Sequence, residues 1–139
     1  MSRTIFVDTG AFIALANQSD QYHQAARDCL EGLAATGVLF VTSNFVLDEA
    51  YTRIRRKAGL KAAVAFGENI RSSRKFKVVT VESSLEQKAW EIFKKYSDHP
   101  FSYTDCTSFA LLLKKKIKET FAFDQDFKIF GFNVLPAMK

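Results

Sequence analysis

Two rhythms of apolar and polar positions alternate along this chain. Short β-branched and aromatic runs at Thr4–Val7, Val38–Thr42, Phe76–Val81, Thr120–Phe123 and Phe132–Leu135 have the length and content of buried strands. Between them the apolar residues recur three and four apart, the spacing of a helix that buries one face. The most regular of these segments follows Ser83. Its Leu85, Ala89, Ile92, Phe93 and Tyr96 share one stripe, and Ser83 with Glu86 has capping-box spacing. Asp20 is placed to cap a helix through Ala25, Ala26, Cys29, Leu30 and Leu33 that ends near Gly37. Asn44 is placed to cap another through Val46, Glu49, Ala50 and Ile54 towards Gly59. A helix through Leu60, Val64, Phe66 and Ile70 follows directly, and one more opens at Ser102 with an apolar face at Phe109, Leu112 and Leu113.

Strands separated by helices need crossover connections, so the pattern predicts the α/β class: a three-layer α/β/α sandwich around a mostly parallel central sheet. No repeat, low-complexity tract or linker divides the 139 residues, and a single domain over 1–139 is expected. With 47% hydrophobic residues, six Gly and two Pro, the composition is that of a globular protein, and fourteen Phe ask for a well-filled core or a dimer interface. The formal charge of +5 favours polyanionic partners. Its one dense run, Lys114–Lys116 with Lys118, reads first as a solvated helix end favoured by the helix dipole. Cys29 and Cys106 lack metal-like spacing, no leader precedes the first strand, and no apolar run approaches the roughly 18 residues that cross a bilayer. A reduced cytoplasmic protein, away from membranes, is expected.

In a parallel sheet, ligands bind beyond the carboxyl ends of the strands, so acids in that position matter most. Asp8 follows Ile5-Phe6-Val7, and Asp124 follows Phe121-Ala122-Phe123, with Asp126 two residues on. Glu49 lies in the first turns of the helix after the second strand, and its neighbour Asp48 points about 100° away around the helix. Val46, Ala50 and Ile54 put the buried stripe beside Glu49, which is therefore the one expected to face inward. Asp105 opens the helix after Ser102, where it also fits an acidic capping box. Four carboxylates at one strand edge repel each other and call for a cation. All-oxygen ligation, with only His23 and His99 as imidazoles, selects Mg²⁺ or Mn²⁺ over zinc. The string Asp8-Thr9-Gly10 also opens the catalytic loop of aspartic proteases, but those are all-β proteins and the helical segments exclude them.

Taken in order, Val7-Asp8-Thr9, Ser43-Asn44-Phe45-Val46-Leu47-Asp48-Glu49, Tyr103-Thr104-Asp105 and Phe123-Asp124-Gln125-Asp126-Phe127 resemble the PIN-domain nucleases, above all the VapC-type toxins. The string Asp20-Gln21-Tyr22-His23-Gln24-Ala25-Ala26 is similar to one common in that family. The resemblance implies an acidic pocket in which Asp8, Glu49, Asp105 and Asp124 hold one or two Mg²⁺ or Mn²⁺ ions and RNA phosphodiesters are hydrolysed. It gives Thr9, Ser43 and Asn44 roles in the pocket or against substrate, and makes Asp126 an outer or alternative acid. Relatives often carry Thr two residues before the fourth acid, where this chain has Ala122. A homodimer and a small antitoxin that blocks the pocket are further implications. Arg53, Arg56 and Lys57 beyond Glu49, and Arg71, Arg74, Lys75 and Lys77 around the third strand, are candidate RNA phosphate contacts. The competing reading is a degenerate PIN-like module that binds RNA or protein without cutting, whose mark would be the loss of an acid. All four are present.

Overall fold

The computed structural model describes residues 3–137. Its strands are β1 (Thr4–Val7), β2 (Leu39–Ser43), β3 (Phe76–Val79), β4 (Glu119–Phe121) and β5 (Asn133–Leu135). They form one sheet in the order β3-β2-β1-β4-β5, with every neighbouring pair parallel. The chain builds outwards from β1 through β2 to β3, then returns to β1's other side for β4 and β5. The strand order therefore reverses between β1 and β4, where Val7 pairs with Phe121. A crevice opens at the carboxyl end of such a switch point.

Helices α1 (Thr9–Ala16), α2 (His23–Ala34), α3 (Asn44–Ala58) and α4 (Leu60–Ser72) pack as one group, and α5 (Ser83–Lys95), α6 (Tyr103–Lys115) and α7 (Asp126–Phe130) as another. Gly59 turns α3 into α4 at φ 97°, a left-handed conformation that a residue with a Cβ adopts only at a cost. The Phe excess fills the interior: Phe6, Phe12, Phe40, Phe109, Phe121 and Phe127 are all fully buried. Phe109 stacks on Phe130 at 4.3 Å and meets Phe101 and Phe127 edge-on at 5.1 Å, tying α6 to the segment around α7.

Several local expectations shift. Helix α1 carries no readable period because Ala11, Phe12, Ile13 and Ala14 are all buried, and a helix buried all round has no polar stripe. Helix α3 is capped by Ser43, whose Oγ accepts from the Val46 amide at 3.1 Å. Asn44 instead accepts from the Val81 amide at 2.7 Å, fastening α3 to the segment after β3. The Ser83–Glu86 capping box is not formed: Glu82 is the cap residue, Ser83 is already helical, and the Glu86 carboxylate accepts from the Tyr103 hydroxyl at 3.2 Å. Asp20 accepts from the Tyr22 amide at 2.8 Å in a turn ahead of α2 and does not cap the helix itself. Leu113, expected on the buried face of α6, is 56% exposed.

Candidate active site

Each acid arrives by a different route. Asp8 ends β1, and its amide donates to the Phe121 carbonyl at 3.0 Å, which carries the ladder with β4 one residue past the strand. Its extended backbone makes it the residue before α1, yet its carboxylate is not spent on capping that helix. Asp105 sits in the first turn of α6, where its amide donates to Ser102 Oγ at 3.0 Å, so the cap and the acid coexist in one turn. Asp124 lies in the turn after β4 and accepts from the Asp126 amide at 2.9 Å.

Carboxylate oxygens of Asp8, Asp105 and Asp124 all lie within 4.8 Å of one another. Asp8 and Asp105 are buried, and Asp124 is more accessible. Glu49 and Asp126 line the same pocket of about 480 Å³, while Asp48 is exposed. Two full negative charges at such a separation repel by on the order of 3 kcal/mol at the effective dielectric of a protein site. Burial first, and then the charge of Asp105, push the Asp8 carboxyl up to about 8, against the pull of the Thr9 backbone amide. Burial also leads for Asp105, followed by Asp124 and Asp126, and lifts it to about 7 despite hydrogen bonding with Ser102. Asp126 is raised in the same direction, again with burial foremost.

The donor set suits a hard divalent cation. Three convergent carboxylates have no Lys or Arg salt-bridge partner among the described residues, and the donor atoms they offer are all oxygens. Thr9 Oγ1, buried in the wall of the pocket, has no hydrogen-bond partner among the described residues, a polar atom suited to a hydrated ion.

A PIN domain match spans residues 5–133. This chain belongs to the PIN domain family. The 23S rRNA-specific endonuclease VapC20 of Mycobacterium tuberculosis, from two strains, is 40% identical over 128 residues, which cover 92% of this chain and 95% of that protein. The crystal structure of VapC20, described as a sarcin-ricin loop cleaving toxin, superposes with a TM-score of 0.85 at 39% identity over the same shares of the two chains. In the structure Asp8, Glu49, Asp105 and Asp124, the four acids singled out in the sequence, line one pocket.

The other candidates divide. Arg53 and Lys57 line the pocket with the acids, one and two turns beyond Glu49 on the same face of α3. Arg56 is exposed and is not part of the lining, and Arg74 and Lys75 precede β3 at the opposite, amino end of the sheet. Ser43 is fully buried and occupied with its cap, and Asn44 with Val81. Sequence reasoning missed the rim formed by Tyr22 and Phe123, whose rings stack at 4.6 Å and 7°. The only available signal for it was the string around Asp20, since Phe123 reads simply as a strand residue.

Proposed function

We propose that this protein is a divalent-metal-dependent endoribonuclease and the toxin of a toxin–antitoxin pair, with structured ribosomal RNA as its first candidate substrate. The observation that carries this reading is the meeting of three carboxylates from remote chain segments in one pocket, where a cation would offset their mutual repulsion. Asp8, Asp105 and Asp124 are the residues to hold Mg²⁺ or Mn²⁺, with Glu49 joining directly or through water and Asp126 orienting Asp124 through its amide. Such an ion, when bound, supplies an acidified water and offsets charge on the phosphate oxygens. Asp124, with its carboxylate in the cluster, is favoured over Asp126 as the fourth acid. The relative's ribosomal RNA specificity supports the choice of substrate, and a cytoplasmic setting fits such a substrate. No helix among the described residues is long and apolar enough to cross a membrane. Incubating the protein with total RNA and Mn²⁺, then sequencing the new ends, is expected to give a few discrete cuts in ribosomal RNA. Uncut RNA at every metal concentration would overturn the reading.

The protein's own cations position the substrate. Arg53 and Lys57 stand on the lip of an acidic pocket, where they offset the repulsion that an incoming phosphate would meet. Replacing both with Ala is expected to raise KM about tenfold, with a smaller change in kcat, and to lower the salt dependence of binding by roughly one to two counterions. An equal loss in kcat at unchanged KM would assign them to the chemical step instead. A homodimer fits the exposed Trp90 and Phe93, which stack on each other at 5.7 Å. An antitoxin side chain carrying an Arg among the acids fits their charge.

A further inference from the structure

The lysine run at the end of α6 gains a partner that its sequence does not show. Lys114, Lys115, Lys116 and Lys118 share a hollow of about 680 Å³ with Lys77, which arrives from β3, some forty residues earlier in the chain. The floor is the sheet itself, where Val41 of β2 and Val79 of β3 lie beside Thr4. All five lysines are exposed, and among the described residues none has a carboxylate within salt-bridge distance. The hollow's one acid, Glu119, is already taken by Arg3, whose guanidinium donates two hydrogen bonds to it at 2.8 and 2.6 Å. A helix dipole accounts for Lys114 and Lys115 in the last turn of α6. It does not account for Lys77, nor for Lys118 beyond the helix.

We propose that this hollow is a second RNA-binding site, separate from the acidic pocket, that holds the phosphate backbone of a folded substrate while the pocket engages the strand to be cut. It rests on the ribonuclease reading for its ligand, although the charge arrangement stands independently of it. Helix α6 links the two places: Asp105 is in its first turn, and Lys115 is its last residue. Ten residues at a rise of roughly 1.5 Å each separate them by about 15 Å along the axis. At roughly 3.4 Å per phosphate that is four to five phosphates along one strand of a B-form duplex, and about one more in the axially shorter A-form of an RNA stem. A dinucleotide seated in the pocket does not reach both places, whereas a hairpin stem does. Arg74 and Lys75 stand at the same amino end of the sheet as the hollow, so their charge extends the surface rather than the pocket.

The test is the triple variant Lys77→Glu, Lys115→Glu and Lys118→Glu, which spares Lys116 because its backbone is left-handed at φ 58°. Binding of a labelled RNA hairpin with a long stem is measured in EDTA and in the Asp8→Asn background, across a range of salt. Circular dichroism establishes that the variant is folded. The expected result is a loss of at least tenfold in hairpin affinity and a salt slope shallower by about two to three, at about 0.9 per lost phosphate contact. Binding of a dinucleotide, which is too short to leave the pocket, stays within twofold. Unchanged hairpin affinity and slope would overturn the proposal. So would an equal loss on polyglutamate, which would make the hollow a site for acidic protein. Wild-type protein that binds the hairpin through these lysines yet cuts no RNA would sink the nuclease reading and leave the binding site standing.

Discussion

Replacing Asp8 with Asn is expected to lower the rate of RNA cleavage by at least about 10³-fold, equivalent to some 4 kcal/mol of barrier. Asn keeps the shape of the side chain but removes the charge, and the pocket then offers a cation two close carboxylates where it had three. The same loss is expected for Asp105→Asn, because that residue contributes an oxygen to the same cluster from the first turn of α6. Glu49→Gln is expected to cost less, since Glu49 lines the pocket outside the three-carboxylate group. The check is single-turnover cleavage of a ribosomal RNA fragment at saturating Mn²⁺, with the fold of each variant monitored in parallel. Full activity in both Asp variants would remove the catalytic assignment of the cluster.

Stability without metal is expected to run opposite to activity. Both carboxyls hold their protons in the folded chain well above the ordinary value of 3.8, Asp8 to about 8 and Asp105 to about 7. Between roughly pH 4 and pH 8 the folded chain therefore binds more protons than the unfolded one, and stability falls as pH rises through that window before levelling off. Metal-free protein should accordingly melt at least about 5 °C lower at pH 8 than at pH 5. Millimolar Mn²⁺ at pH 8 should recover most of that difference, because a cation removes the repulsion and binds only the folded form. The Asp8→Asn/Asp105→Asn double variant should show a shallower pH dependence, little response to Mn²⁺, and a metal-free stability at pH 8 higher by roughly 1–3 kcal/mol. Scanning calorimetry of the two proteins with and without Mn²⁺ decides it. A wild-type melting temperature insensitive to both pH and metal would show that the acids are not forced together.

Much of this was readable in one dimension because it depends on near neighbours. Strand runs such as Ile5-Phe6-Val7 and helical stripes such as Leu85, Ala89 and Ile92 are properties of spacing, and the position of Asp8 and Asp124 just beyond strands is a property of order. The inward choice of Glu49 over Asp48 followed from the same geometry, 100° per residue against a buried stripe. Caps were less legible. Ser43 and Asn44 are both good cap residues, and the assignment turned on the amide of Val81, thirty-seven residues later, which claims Asn44. Helix α1 was hidden for the opposite reason, since complete burial erases the contrast on which periodicity relies.

The sequence alone determined the succession of elements and which acids stand at strand ends, because both are set by interactions within a few residues. Only the tertiary structure decided which charges share a space. Pairing β4 beside β1 sets Asp124 against Asp8, the parallel pairing of β3 with β2 leaves Arg74 and Lys75 at the end of the sheet opposite the acids, and the same arrangement brings Lys77 to the lysines that end α6. Such neighbours are chosen by long-range strand pairing, in which residues distant along the chain meet, and no local pattern encodes that choice.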